Sequence, residues 1–511
     1  MDEGDRREFL ICLIIVIASF TFVMRTLSGP GLTWDEANFI PSSISYLDWF
    51  QTLIDDIKQG NLHHALSKDT ITKYWYATAE HPPFAKLLSA TTMLIFHRLT
   101  GLLFAARISV AFIFSLLILL VYKFTAKAYG RYAGYFSALS LFIMPRIFGH
   151  AHFASLDICM SFTWFLTVFC FVKGIHNRKW AIFTGIAYGL ALATKLNAFF
   201  LPIPLLIWAH LYHRKEYLRN LMAMFFLSPL VFISIWPWLW HEPFRRIGHY
   251  LFSPTAGRDP VAVYYLGTTY REVIAPWSYP IVMSVVTLPP LVLILAILAV
   301  RWIGKDKFRD STGTLILLNI RACIGVMILP QAQKYDGVRL FLPAFPFIAC
   351  LAGMGLARIL EKKSSLLPLG ILLLLAGTLP LINVHPYYLS YYNILVGGVK
   401  GAKQLGFETT YWGDTCTDDA LNYLNENAKQ SAKIAFYPVG CNVVRLYKIT
   451  GKLREDIEAA SPKEWETLDY LVLNCRQGFF DERLWEIYKK EKYEYATIFQ
   501  DVPLTAIYKI E

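Results

Sequence analysis

The run Phe9–Thr26, FLICLIIVIASFTFVMRT, leads within a few residues to Gly31-Leu32-Thr33-Trp34-Asp35-Glu36-Ala37-Asn38. The first segment is apolar as far as Arg25 and long enough to cross a bilayer, and no small-residue cleavage site follows where a signal peptide needs one. It reads as a signal anchor that stays attached as the first span, after the short polar start Asp2 to Glu8. The second segment places two carboxylates at the mouth of that span. Acids there are costly beside lipid and are kept where they touch a substrate, an ion or a proton, so residues 33–38 form the first candidate site.

Of the 511 residues, 55% are hydrophobic and only 17% charged, which is too apolar for a soluble enzyme. The chain reads as an α-helical polytopic membrane protein. Its formal net charge of +11 is gathered in short basic clusters between apolar runs, as in cytoplasmic loops, so no nucleic-acid partner is expected. Eight cysteines are scattered without a CxxC or a Cys/His set at zinc spacing, and neither a disulfide scaffold nor a structural metal is signalled. Cys416, Cys441 and Cys475 in the polar tail allow at most one disulfide.

Apolar runs near 9–28, 103–122, 132–148, 158–172, 180–195, 196–212, 220–240, 281–300, 312–330, 340–357 and 365–384 predict about eleven transmembrane helices. The clusters Lys123/Lys127/Arg131, Lys173/Arg178/Lys179, Arg214/Lys215/Arg219, Arg301/Lys305/Lys307/Arg309 and Arg358/Lys362/Lys363 separate them, and the positive-inside rule makes all of these cytoplasmic, with Arg6-Arg7. A further stretch, Phe84 to His97, would invert the map if it crossed, so it reads as a helix in the outer interface. The amino end is then inside and the carboxyl end outside. Residues 29–102, 149–157, 241–280, 331–339 and the chain after about 385 share the outer face, which makes the candidate site extracytoplasmic.

Beyond about residue 385 the chain becomes tyrosine-rich and then polar, with strand-like runs Lys433–Val439, Leu468–Asn474, Tyr493–Phe499 and Leu504–Lys509 and a helix-like segment Asp418–Gln430. Alternating helix and strand signals predict a small extracytoplasmic α/β domain over 385–511, following a transmembrane catalytic domain over 1–384.

Other polar residues fall on the same face as Asp35-Glu36. Glu80-His81-Pro82-Pro83-Phe84-Ala85-Lys86 sets Glu80 and His81 against two prolines that fix the chain leading into the interfacial helix. The second outer loop, Pro145-Arg146 to Asp157, adds Arg146, His150, His152 and Asp157, the last directly before an apolar helix that it is placed to cap. Snorkelling at the interface is the ordinary role of Arg146 and the histidines. Arg107 in Ala105-Ala106-Arg107-Ile108 and Lys195 in Thr194-Lys195-Leu196-Asn197 stand at outer ends of spans, where lone cations often only anchor a helix. With Arg339 in Tyr335-Asp336-Gly337-Val338-Arg339 they make a candidate basic pocket for an anionic lipid headgroup.

The ordered set of an Asp-Glu pair after the first span, His-Pro-Pro-x-x-Lys-Leu-Leu, an Arg opening the next span, a Leu-Asp in the second outer loop and a later Thr-Lys resembles the GT-C glycosyltransferases. The branch it resembles is family 39, the protein O-mannosyltransferase and aminoarabinose-transferase group. Pro260-Val261-Ala262-Val263-Tyr264-Tyr265-Leu266-Gly267, Pro276-Trp277-Ser278-Tyr279-Pro280, Tyr335 to Arg339 and Val396-Gly397-Gly398 look like prokaryotic members, over roughly residues 9–413. The resemblance implies a polyprenyl-phosphate sugar donor, inversion at the anomeric carbon, and an acceptor that is a glycan, a lipid or a protein. It implies Asp35 as general base with Glu36 beside it, Asp157 as second acid, and Arg107 and Lys195 near the lipid phosphate. Tyr264 belongs to one of the shared motifs. Glu80 matches a glutamate that touches a metal in the aminoarabinose branch, whereas His81 stands where that branch has lysine, so a divalent metal is left open. No outer stretch reads long enough for the trefoil domain of the protein O-mannosyltransferases, which weighs against a protein acceptor.

The residues fit such chemistry independently. Displacing a lipid phosphate from a sugar needs a base for the acceptor's proton and cations for the departing phosphate. Two other classes compete. A transporter or flippase for a lipid-linked substrate would also carry membrane acids and lipid-facing cations, but charges near the midplane and paired broken spans are missing from this sequence. An assembly or sensor protein would need its membrane part only as an anchor, for which eleven spans are excessive.

Overall fold

The computed structural model describes residues 3–213, 216–252, 260–306, 309–462 and 464–510. Asp2 of the polar start and Arg214, Lys215 and Lys307 of the basic clusters lie outside the described residues, as does part of the outer loop expected at 241–280. Among the described residues six helices are long and apolar enough to cross a membrane: Gly4–Thr26, Leu102–Tyr129, Asp157–Gly174, Ser311–Ile328, Ala344–Lys362 and Ser364–Val384. The other expected passages are helical but shorter. Proline explains most of the breaks, because it lacks the N–H that an interior helical position must donate. Pro145 separates Arg131–Phe142 from Pro145–His150, Pro237 ends the passage of Leu218–Ser234, and Pro289-Pro290 divides Tyr279–Thr287 from Pro290–Lys305. At that last break Asn393 Nδ2 donates to the carbonyls of Val285 and Leu288 at 2.7 and 2.8 Å, satisfying acceptors the helix has lost.

The basic clusters meet at one end of the helical bundle. Lys123, Lys127 and Lys173 lie close enough to repel one another. Tyr129 Oη donates to Asp310 at 2.7 Å, and Arg358 contacts Asp306 at 3.3 Å. The opposite end carries Asp35, Arg107, Asp157, Lys195 and Arg339.

The stretch expected in the interface is the helix Phe84–Thr100, which turns at Gly101 and folds back along Leu102–Tyr129, with Ser89 and Ser109 hydroxyls 3.3 Å apart. Phe84 N–H donates to the carbonyl of Ala193, two residues before Lys195, and Met93 packs in one apolar cluster with Leu103 and with Val443 and Tyr447 of the chain's C-terminal part. The helix is therefore tied at its start and its middle to elements around the acids.

The C-terminal part holds a five-stranded sheet in the spatial order Glu458–Ala459, Lys433–Tyr437, Tyr470–Asn474, Val502–Lys509, Tyr495–Phe499. The first three strands are parallel and the last two antiparallel to their neighbours. Tyr470–Asn474 is buried throughout, as a central strand covered on both faces should be. The unit includes helices Asp418–Asn427, Cys441–Ile449 and Glu482–Lys490. All eight cysteines are free thiols, and Cys441 is the exposed one.

This α/β unit grips the chain just after the first span. Gly31 N–H donates to the carbonyl of Asp414 at 2.8 Å, Trp34 N–H to that of Trp412 at 2.9 Å, and Leu32 N–H to Tyr447 Oη at 3.2 Å. A Cβ on Gly31 would come within 2.1 Å of the Cys416 carbonyl oxygen, so only glycine allows this approach.

If Phe84–Thr100 does not cross, then in a Cys441→Ser background Lys73→Cys and Thr100→Cys should both react with a membrane-impermeant maleimide from the same side, and Ala128→Cys only after permeabilisation. Protection of Thr100→Cys from the side that labels Lys73→Cys would make that helix a crossing.

Candidate active site

Helix Trp34–Lys58 begins in a capping box: Thr33 Oγ1 accepts from Glu36 N–H at 3.2 Å, and Glu36 Oε2 accepts from Thr33 N–H at 3.1 Å. This reciprocal pair points Glu36 inward, whereas Asp35, one position earlier, faces a cavity with 13% of its side chain exposed.

Glu36 departs from its expected role as catalytic partner. It is fully buried, and its carboxylate accepts from Arg107 Nε at 2.7 Å, Arg107 Nη2 at 2.8 Å and Ala154 N–H at 3.0 Å. Arg107, expected at the lipid phosphate, is equally committed. Its remaining N–H groups go to the carbonyls of Leu27, Pro30 and Gly31 at 3.1, 2.9 and 2.7 Å, which uses all five donors of a guanidinium. The pair clasps the end of the first span to the start of the next helix and leaves nothing for a ligand.

The acids that do converge are Asp35, Asp157 and Asp336, and the group they share is Arg339. Arg339 Nη2 donates to Asp35 Oδ2, Nε to Asp157 Oδ2 at 3.0 Å, and Nη1 to Asp336 Oδ2 at 2.8 Å, with the guanidinium carbon 4.4 Å from the Trp412 ring centre. Asp157 opens helix Asp157–Gly174 but does not cap it; its side chain turns away to take Lys195 Nζ at 2.8 Å as well. The expected basic pocket of Arg107, Lys195 and Arg339 is thus replaced by an alternating charge cluster, because burying those cations without counter-charges would cost several kcal/mol each, on the order of the desolvation of a single ion. Lys195 keeps partial exposure, 12% of its side chain, with N–H groups beyond the one given to Asp157.

The turn carrying Arg339 depends on its glycine. Asp336 and Gly337 both take left-handed backbone angles, φ 55° and 62°, and a Cβ on Gly337 would lie 2.3 Å from Arg146 Nη1. Burial pushes the Asp35 carboxyl up to about 6, against the opposing pull of Arg339; Asp157 and Asp336 push in the same direction as burial.

Other expected site residues separate into two groups. Glu80 and His81 line the cavity with Asp35, a space of about 830 Å³ whose far wall is formed by Asn442 and Arg445 of the C-terminal unit, with His249 at its side. Lys86, His152 and Tyr264 are used by the fold instead, as is the Nε of Arg146, whose two Nη groups have no hydrogen-bond partner among the described residues. Lys86 Nζ donates to Thr78 Oγ1 and to the carbonyls of Thr78 and His81 at 2.6, 3.1 and 2.8 Å, fixing the turn that presents Glu80. His152 bonds Thr26 Oγ1 at 2.8 Å and the Phe148 carbonyl at 2.9 Å, and burial drives it down to about 3, so it is neutral. Arg146 donates through Nε to the Tyr391 carbonyl at 3.0 Å and lies over the rings of Tyr392 and Tyr411 beneath the C-terminal unit. Tyr264, in a short hairpin strand, packs on Trp485. His150 sits 3.9 Å from Asp157 against Trp412, also held neutral by burial. Among the described residues no group of three or more His, Cys, Asp or Glu is assembled around Glu80.

A family profile described as dolichyl-phosphate-mannose-protein mannosyltransferase matches residues 80–241, the part that runs from the Glu80 turn past Asp157 and Lys195. ArnT from Cupriavidus metallidurans in the apo state superposes with a TM-score of 0.51 at 13% identity, over 99% of this chain and 98% of that one. The chain therefore has the GT-C fold, and its residues 80–241 are similar to the dolichyl-phosphate-mannose-protein mannosyltransferases. ArnT bound to undecaprenyl phosphate aligns over 97% of both chains at 12% identity and TM-score 0.50. The oligosaccharyltransferase of Archaeoglobus fulgidus, tethered with an acceptor peptide, aligns over 97% of this GT-C chain and 75% of its own at 13% identity and TM-score 0.50. No curated protein matches the GT-C chain in sequence.

Asp336, Trp412, Asn442 and Arg445 were not among the site residues expected from the sequence. Asp336 had a signal, since an Asp-Gly before Val-Arg marks a turn whose carboxylate lies within reach of the arginine. The capping box of Glu36 was likewise legible as Thr-x-x-Glu.

Removal of either member of a buried pair strands the other, at about 3–5 kcal/mol. Arg107→Ala and Glu36→Ala should therefore sharply lower the melting temperature and the folded yield in detergent. A folded Arg107→Ala of near-native stability that had lost only donor affinity would restore Arg107 to the lipid phosphate.

Proposed function

We propose that the protein transfers a sugar from a polyprenyl-phosphate-linked donor to an acceptor on the extracytoplasmic face of a plasma membrane, with inversion at the anomeric carbon. The observation that carries this reading is Asp35: an acid at the wall of the large cavity, desolvated, and steered by Arg339. Asp35 accepts the proton of the acceptor's attacking group. The freed lone pair bonds to the anomeric carbon from the face opposite the phosphate, the carbon–oxygen bond to phosphate breaks, and the lipid phosphate leaves with that electron pair. No acid is required for a leaving group whose charge is held by cations. Lys195, partly exposed beside Asp157, is the cation placed to meet it.

The matched family's description supports a lipid-phosphate donor, as does the binding of undecaprenyl phosphate by ArnT. The collection of charges at the end of the bundle away from the basic clusters supports an extracytoplasmic site. On this reading residues 1–384 form the catalytic membrane domain and 385–511 a covering domain, with Glu80 and His81 as substrate contacts.

Transfer of radiolabelled sugar from a polyprenyl-phosphate donor to a membrane acceptor tests the assignment. Asp35→Asn should lower turnover by about 10²–10⁴-fold, the usual contribution of a positioned base, with donor binding retained. Near-normal turnover in that variant would remove Asp35 from the role. The base is competent when deprotonated, so wild-type turnover should rise with pH through about 6, and this limb should vanish in Asp35→Asn. Lys195→Ala should weaken donor binding by on the order of tenfold or more, for loss of a charge-assisted hydrogen bond; unchanged affinity by lipid titration would place the phosphate elsewhere.

A further inference from the structure

The carboxylate cluster does not end at Arg339. Asp336 gives one oxygen, Oδ2, to Arg339 Nη1 at 2.8 Å, and its other, Oδ1, lies 2.8 Å from Nη2 of Arg476. Arg476 belongs to the C-terminal α/β unit and follows the sheet's central strand, Tyr470–Asn474, by two residues. The contact with Asp336 is an ion pair without hydrogen-bond alignment, and Arg476 has further partners. Its Nη1 donates to the Tyr411 carbonyl at 2.8 Å, its guanidinium carbon sits 4.4 Å from the Phe479 ring centre, and Nε is 3.8 Å from Glu408 Oε1. Only 4% of Arg476 and 4% of Asp336 are exposed, so the contact is poorly screened by water.

We propose that Arg476 is a positioning residue for the transfer reaction: it holds Asp336, which in turn fixes Arg339 against Asp35, so that the C-terminal α/β unit completes the site it covers. The inference rests on the reading of Asp35 as the base.

The physical case is a division of charge. Arg339 serves three carboxylates, and Asp336 is the one among them with a second guanidinium of its own. With Arg476 removed, the full charge of Asp336 falls on Arg339, which is drawn toward it, and the cluster gains one net negative unit. Both changes oppose ionisation of Asp35. The charged groups bearing on Asp35 are Arg339, Asp157, Asp336 and Lys195, with Tyr335 close by. Glu80, His81, His249 and Arg445 face it across the cavity. Those bearing on Asp336, besides the two arginines, are Glu408, Tyr279 and Tyr411, and Arg146 abuts the adjoining glycine. Of these, Arg146 lies over the rings of Tyr392 and Tyr411 and makes no ion pair with Asp336, and the others are acids or phenols.

The test uses the full-length protein in lipid nanodiscs. The Asp35 carboxyl is titrated by infrared difference spectroscopy, identified by subtraction of Asp35→Asn, in wild type, Arg476→Ala, Arg476→Gln and Arg476→Lys; pH–rate profiles for sugar transfer are recorded alongside. Loss of the charge in the alanine and glutamine variants should raise the Asp35 midpoint by about one pH unit. It should depress turnover most at low pH, with recovery as the pH is raised and KM for the donor nearly unchanged. Arg476→Lys should bring the midpoint back towards wild type. A folded Arg476→Gln with the wild-type midpoint, or with turnover lowered evenly at every pH, overturns the proposal. Absence of sugar transfer by the wild-type protein would end the functional reading, whereas the infrared midpoints would still decide whether Arg476 acts on Asp35.

Discussion

Arg339 is the fixed point of the site: one guanidinium bound by carboxylates from three separate segments, the start of helix Trp34–Lys58, the start of helix Asp157–Gly174, and its own turn. A buried cation demands counter-charge, and satisfying it draws these three segments together. The planar fork of the side chain sets their mutual directions, which lysine would not do. Asp35 is left with one cation and a view of the cavity, which is the ground on which it is proposed as the base.

Close by, the same physics gives the opposite result. Glu36 is adjacent to Asp35 in sequence, yet its helix turns it inward to Arg107, where every donor and acceptor is matched. A pair so fully satisfied has no capacity left for a ligand and serves to lock the first span to the helix that carries Asp35. One hundred degrees of helical rotation separate a residue that can do chemistry from one that holds the frame.

The C-terminal α/β unit is more than a cover. Its segment 411–416 takes the backbone N–H groups of Gly31 and Trp34, its helix Cys441–Ile449 forms a wall of the cavity, and Trp412 lies against Arg339. Each of these contacts leads to the residues around Asp35, so the unit and the membrane helices share one site. The family match, by contrast, lies wholly within residues 80–241.

The sequence by itself determined the membrane class, the places of the main apolar helices and four of the five C-terminal strands, since these follow from hydrophobic runs and from residue periods along a single segment. It placed Asp35, Asp157, Lys195 and Arg339 among the candidates because charges beside apolar spans are expensive wherever they occur. Which charge meets which was decided only by the tertiary structure. Arg107 and Glu36 are 71 residues apart, and Arg339 and Asp35 304. No local pattern records those distances. Hence Arg107 and Lys86, equally plausible as ligand cations in the sequence, proved to be tethers once their carbonyl partners were in view. Asp336 and Arg476 acquired meaning only when the central strand of the sheet was seen to end beside the Tyr335–Arg339 turn, because an ion pair is defined by approach in space and not by order along the chain.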